Sequence, residues 1–187
     1  LKLQAESIDL YCKQMCLHTI NVIINDDNMS SADIDPSWWG RFADRVQIIH
    51  RNEWSNHYVG NGWLTQQLLK LLASAESNSR WSMVVDAKTI FVEEVELERL
   101  FDDNGKISWG YMPVFPVFDR ARQIVSELFN INQTDVAGPA GVPFLFHRNT
   151  VSAMIKEVES RTNQKQRRFD PLGADTLDHT LEVTTAF

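Results

Sequence analysis

Cysteine is scarce in this chain, with two in 187 residues. Cys12 and Cys16 fall i, i+4 on an expected helix, a geometry that suits a disulfide poorly. With no third cysteine, a Cys-rich zinc site is excluded. The reading is two buried thiols in a reducing compartment, with a cytoplasmic location expected. No apolar run approaches the ~18 residues that would span a bilayer. No signal peptide is visible, since Leu1 to Leu10 already read as helix with Glu6 and Asp9 inside. Glycine patterning is absent too. Neither Gly-x-Gly-x-x-Gly nor the P-loop pattern occurs, which removes the main evidence for Rossmann or Walker nucleotide binding. Basic charge is in deficit: 18 Lys and Arg stand against 25 Asp and Glu, net −7. Nucleic acid is therefore not an expected partner, because phosphate-backbone binding needs a basic face. The one basic cluster, Lys165 to Arg168, is short and reads as a solvated surface.

What is present is an ordinary globular composition, 43% hydrophobic and 23% charged. The length fits one domain, residues 1–187, able to bury a full core. The chain lacks a starting Met, so an N-terminal part is expected to be missing. Residues 1–16 read as an amphipathic helix, and His18 to Ile24 as a strand ending in the turn cluster Asn25-Asp26-Asp27-Asn28. Residues 29–44 look loop-like, Arg45 to His50 form a short strand, and residues 51–61 make a long connection. The clearest helix spans Trp63 to Ala75, with Leu64, Leu68, Leu71 and Leu72 as its apolar stripe. A strand and its continuation cover Ser82 to Val92. Short helices follow over Glu93 to Leu100 and Asp119 to Phe129, with a turn at Asp102-Asp103-Asn104-Gly105 and an extended, Pro-broken stretch over Ser108 to Val117. Ala137 to Pro143 reads as a loop before Phe144 to His147. Asn149 is the expected N-cap of a helix over Val151 to Arg161, and a last helix is expected to start near Thr180-Leu181-Glu182. Strands alternating with helices imply an α/β sandwich with a largely parallel sheet.

The most informative stretch is Trp81 to Val92. An apolar, β-branched run carries Asp86 to its end, and open α/β sheets bind ligands at the carboxyl ends of their strands. On a continuing strand, Asp86 and Lys88 would share a side. Asp86 can hold a divalent cation, Lys88 can attract a diphosphate, or the two can form a simple ion pair. Gln66, Gln67 and Lys70 lie on the polar side of the strong helix at i, i+3 and i, i+4 spacing, equipment for a sugar or phosphate or else a solvated face. Asn25, Asp26 and Asp27 sit at another strand end, where a carboxylate can bind a ribose or base, or the cluster can only cap a turn. His147 ends an apolar strand, where it can act as an acid or base or serve structure alone. His18, His50, His57 and His179 have no spacing that defines a metal site. Glu182, late in the chain, is a candidate general base or a surface residue. Trp38, Trp39, Trp54 and Trp63 flank strand-end loops, where aromatic rings stack on sugars as readily as they fill a core.

Three segments carry a resemblance: Gly62 to Leu71, Val84 to Phe91 and Val142 to His147. Together they resemble glycosyltransferase-like families with a GT-A fold, and most closely an uncharacterised bacterial and phage group with an Asp-Ala-Lys-Thr motif. The resemblance runs in order over roughly residues 1–160. It implies a three-layer α/β/α sandwich with a mostly parallel central sheet, here lacking its first strand. It implies a nucleotide-sugar donor and an unknown acceptor, with Asn25 and Asp26 near the nucleoside and Pro143 to His147 on the acceptor side. Glu182 would sit where some relatives place a base, although Val183 replaces the usual aromatic. Such enzymes carry Asp-x-Asp, with a Mn or Mg ion bridging the diphosphate. Here the second acid is Lys88, which puts metal dependence in question and suggests that Lys88 neutralises the diphosphate. The same departure also allows a catalytically degenerate carbohydrate- or nucleotide-binding module on the same fold.

Overall fold

The computed structural model describes residues 1–12, 17–54, 62–107, 111–113, 115–132, 137–139, 143–162 and 181–186. Cys16, His57, His179 and the basic cluster at 165–168 lie outside them. In chain order the elements are α1 (Lys2–Tyr11), β1 (Leu17–Ile24), two 3-10 segments (Ser31–Asp33 and Pro36–Arg45), β2 (Val46–His50), α2 (Arg51–Trp54), α3 (Gly62–Glu76) and β3 (Trp81–Asp86). Then come α4 (Leu97–Leu100), β4 (Tyr111–Pro113), a 3-10 turn (Pro116–Phe118), α5 (Asp119–Phe129), β5 (Ala137–Pro139), β6 (Phe144–His147), α6 (Arg148–Thr162) and β7 (Leu181–Ala186). The fold is mixed α/β, as the alternation of patterns predicts.

Five strands form the main sheet in the order β2-β1-β7-β3-β6. All neighbours are parallel except β6, which runs antiparallel to β3. A separate antiparallel pair joins β4 to β5. The stretch 137–143 is thus not all loop: its first three residues pair with β4. The helix expected near Thr180 is instead β7, seated between β1 and β3, with Ile20 opposite Val183 on one side and Met83 opposite Val183 on the other. Leu181 to Ala186 is rich in β-branched residues and short, so long-range pairing on both edges decides its state.

Alternation assigns the two faces of the sheet. Ile20, Val22 and Ile24 of β1 and Met83 and Val85 of β3 join Ala5 and Ile8 of α1, Cys12 just past its end, and Trp39 and Phe42 of the long 3-10 segment in one apolar core. On the other face Ile23 packs against Leu69 and Ala73 of α3, and α6 lies beside α3. The leucines expected to form α3's stripe are therefore not its core face. Thr65, Leu69 and Ala73 are buried at i, i+4 and i+8, while Leu64 is exposed.

Residues 29–44 are more ordered than their polar composition suggests. Ser30 and Asp33 form a reciprocal capping box, and Asp35 caps the second 3-10 segment at Ser37, with Pro36 in its first turn. Gly40 breaks that segment with φ +51, and a Cβ there would fall 2.3 Å from Asp9 Oδ2. The close approach lets Asp9 accept from Arg41. In the expected helix over 93–100, only Leu97–Leu100 is helical. Asn149 sits inside α6, which begins at Arg148, so it is not the N-cap.

Candidate functional site

Parallel strands put the ends of β2, β1, β7 and β3 on one edge of the sheet. The chain moves outward from β1 to β2, then crosses back over the sheet through α3 to β3. The strand order reverses between β1 and β3, on either side of β7. In open α/β sheets such a reversal opens a crevice beyond the carboxyl ends of the strands.

On the β3 side stands Asp86. The strand does not continue past it: Thr89 N–H donates to Asp86 O at 2.8 Å, so Asp86-Ala87-Lys88-Thr89 is a turn. Strand alternation therefore does not relate Asp86 to Lys88. Lys88 is exposed and forms no ion pair with a described residue. Asp86 is instead paired with Lys70, whose Nζ lies 2.5 Å from Oδ1. Lys70 is 4% exposed. It sits two turns into α3, but helical side chains tilt toward their N-terminus. Because α3 starts at the carboxyl edge, the tilt carries the ammonium back up to Asp86. Among the described residues Asp86 Oδ1 is the one acceptor for the Lys70 ammonium, and Asp86 Oδ2 has no protein donor.

The turn after β3 is fastened from the other face. Gln4, 1% exposed on α1, donates from Nε2 to Asp86 O at 2.7 Å. Ser7 Oγ accepts from Phe91 N–H at 3.0 Å and donates to Gln4 O at 2.7 Å. Asp86 is thus held by Gln4 on its backbone and Lys70 on its side chain. Gln4 and Ser7 were not legible as site residues, although two polar side chains on the core face of an amphipathic helix are a usable signal.

On the β1 side, Asn25 Nδ2 donates to Gly62 O at 3.0 Å, joining the end of β1 to the start of α3. Arg51, at the end of β2, donates to Asn25 O at 3.1 Å and pairs with Asp27. Arg51 is a further cation at this edge that the sequence did not single out. Asp26 is engaged in an Asx turn, its Oδ1 accepting from Asn28 N–H at 2.8 Å. Gln66 and Gln67 are half-buried between Gly62 and Lys70, with Gln67 Nε2 3.4 Å from Gln66 Oε1. Trp63 is 56% exposed at the start of α3, whereas Trp39 is fully buried with Trp38 stacked on it. The side chain of Trp54 lies outside the described set.

Two expected members of the site are elsewhere. Glu182 is opposite Ser82 in β3, about 13 Å along the sheet from Asp86 at ~3.3 Å per residue. His147 is opposite Trp81 because β6 is antiparallel, so its end lies at the amino edge of β3. There its Nε2 faces Arg80 Nε at 3.2 Å, its Nδ1 lies 3.3 Å from Thr150 Oγ1, and its ring packs edge-on to Trp81. The structure joins Asp86, Lys70, Asn25 and Arg51 at one edge and leaves His147 and Glu182 at the other.

Among the described residues no group of three or more His, Cys, Asp or Glu side chains could hold a metal ion, and no helix is long and apolar enough to cross a membrane. Cys12 is a buried free thiol, pushed up to about 12 by burial with Arg41 drawing it partly back, which makes it unreactive. No curated protein and no solved structure matches the chain. Residues 1–176 match a family of unknown function, DUF6492, and the chain belongs to that family.

Proposed function

We propose that this protein is a GT-A-type glycosyltransferase that moves a sugar from a nucleotide-diphosphate donor to an acceptor. The observation that carries the reading is the Asp86–Lys70 pair at the carboxyl edge, beside the point where strand order reverses. The donor would lie across that crevice, with the nucleoside toward Asn25 and Arg51 and the diphosphate toward Lys70 and Lys88. Asp86 Oδ2 is open to accept from a sugar or ribose hydroxyl, and the Gln66 and Gln67 amides line the approach. In the transfer, the bond from the anomeric carbon to the diphosphate oxygen breaks and its electron pair leaves on the diphosphate. A bond to the acceptor oxygen forms, and the acceptor proton goes to a base. His147 and Glu182 are at the far edge of the sheet, so neither is assigned that role.

The residues around Asp86 fit a divalent cation poorly. One carboxylate oxygen is already paired with an ammonium, and Lys88 stands where a second acid would complete the pair of ligands.

A thermal-shift screen against UDP-, GDP-, ADP- and CMP-sugars, with and without Mn²⁺, tests the reading. Stabilisation by one nucleotide class is expected, together with donor hydrolysis that Asp86→Asn reduces. No shift with any donor would overturn it. The second reading is a binding module without turnover, favoured by the distance of His147 and Glu182 from Asp86. Donor binding with no hydrolysis or transfer would select it.

A further inference from the structure

Resting on that reading, we infer that Lys70 is a built-in cation for the donor diphosphate, so the protein binds nucleoside diphosphates without a divalent metal. Three observations carry this. The Lys70 ammonium lies 2.5 Å from Asp86 Oδ1, the position a metal bound by this carboxylate would take. It is 4% exposed, yet Asp86 supplies its one acceptor among the described residues. An ammonium carries three N–H donors, and a nearly buried cation with unused donors is costly unless an anion completes its shell. The third observation concerns Lys88. The turn at Asp86–Thr89 leaves it exposed one step from Asp86, free to reach a second phosphate oxygen. Lys88 supplies the net positive charge that the Asp86–Lys70 pair lacks, and the unused Lys70 N–H donors supply fixed contacts to phosphate oxygens.

The two cations have different roles. Lys70 is pre-positioned by α3 and Asp86, so it contributes its contacts without losing side-chain freedom on binding. Lys88 is ordered only by the ligand.

Isothermal titration of the intact chain with UDP, GDP and ADP, in EDTA and in Mn²⁺, tests the inference. The expected result is one nucleoside diphosphate binding with dissociation constants in EDTA and Mn²⁺ that agree within about threefold. Lys70→Met should weaken binding in EDTA by about 10- to 100-fold, the loss of a charge-assisted contact. Lys70→Arg should retain most of it, and Lys88→Ala should lose less than Lys70→Met. With the ammonium gone, Asp86 is free to ligate a metal, so Mn²⁺ should restore part of the affinity of Lys70→Met. Binding that requires Mn²⁺ in the unmodified protein would overturn the inference and leave the donor reading standing. Unchanged metal-free affinity in Lys70→Met would overturn it as well. No binding of any nucleoside diphosphate in either condition would overturn both. The comparison of EDTA with Mn²⁺ uses the unmodified chain, so it decides the matter even if a Lys70 variant fails to fold.

Discussion

Asp86→Ala should cost far more stability than an edge carboxylate ordinarily would. Its partner's side chain is 5% exposed while Asp86's own is 26% exposed. Removing Asp86 strands the Lys70 ammonium in the interior, and breaking a buried pair from one side costs about 3–5 kcal/mol. The partial exposure of Asp86 admits water to the vacated space, which puts the expectation near 3 kcal/mol. Lys70→Met is the milder change: it keeps the aliphatic packing, and the carboxylate left behind can hydrate, for about 1 kcal/mol. The double variant removes both charges and leaves none stranded, so it should cost about 1–2 kcal/mol instead of the sum of about 4. The coupling of about 2–3 kcal/mol is the quantity to measure, by urea unfolding with the slopes compared to confirm one transition. An Asp86→Ala cost below about 1 kcal/mol, or additive single variants, would refute the claim that Lys70 is a buried cation that depends on Asp86.

Three further outcomes are expected. Gly40→Ala should lose about 2–4 kcal/mol in the same assay, from the left-handed backbone and from displacement of Asp9, whose Oδ2 lies 2.3 Å from the added Cβ; a loss under about 1 kcal/mol would show that the kink relaxes freely. Cys12 ties stability to alkaline pH: its thiol moves from 9.0 to about 12 on folding, so between those values the unfolded chain has released a proton that the folded chain keeps. Stability should therefore fall as pH rises above about 9, by about 1.4 kcal/mol per unit from this group, and urea unfolding of Cys12→Ala across that window should show a shallower fall, whereas parallel pH profiles would contradict the burial argument. Thr184→Pro removes a donor from the middle of β7, paired on both edges, and should cost at least about 3 kcal/mol; a circular dichroism melt matching the unmodified chain would mean that β7 is not a central strand.

Patterns local to the chain were legible without coordinates. The apolar runs read as strands over His18–Ile24 and Ser82–Val92 mark β1 (Leu17–Ile24) and β3 (Trp81–Asp86), although β3 ends at Asp86, short of the expected Val92; a strand covered by helices on both faces reads as continuously hydrophobic. The helices expected over Asp119–Phe129 and Trp63–Ala75 are present, the second as Gly62–Glu76, although its buried face is not the leucine stripe. The Asp102–Gly105 turn followed from its Asp-Asp-Asn-Gly composition, and Asp102 Oδ1 accepts there from Asn104 and Lys106 N–H. Asp86 and Lys70 were each identified as candidates. Their pairing was not, because sixteen residues and a change of element separate them.

The sequence by itself determined an α/β chain with Asp86 at a strand end, because burial periodicity and turn chemistry act over a few residues. Tertiary structure decided the rest. Pairing on both edges turned Leu181–Ala186 from an expected helix into a central strand. Strand direction carried His147 and Glu182 to the amino edge, away from Asp86. Sheet packing rotated α3 so that Lys70 faces inward to Asp86 while Lys88, two residues along the chain from that acid, turns out to solvent. Direction, register and helix rotation are set by contacts between segments remote in sequence, and no local pattern encodes them.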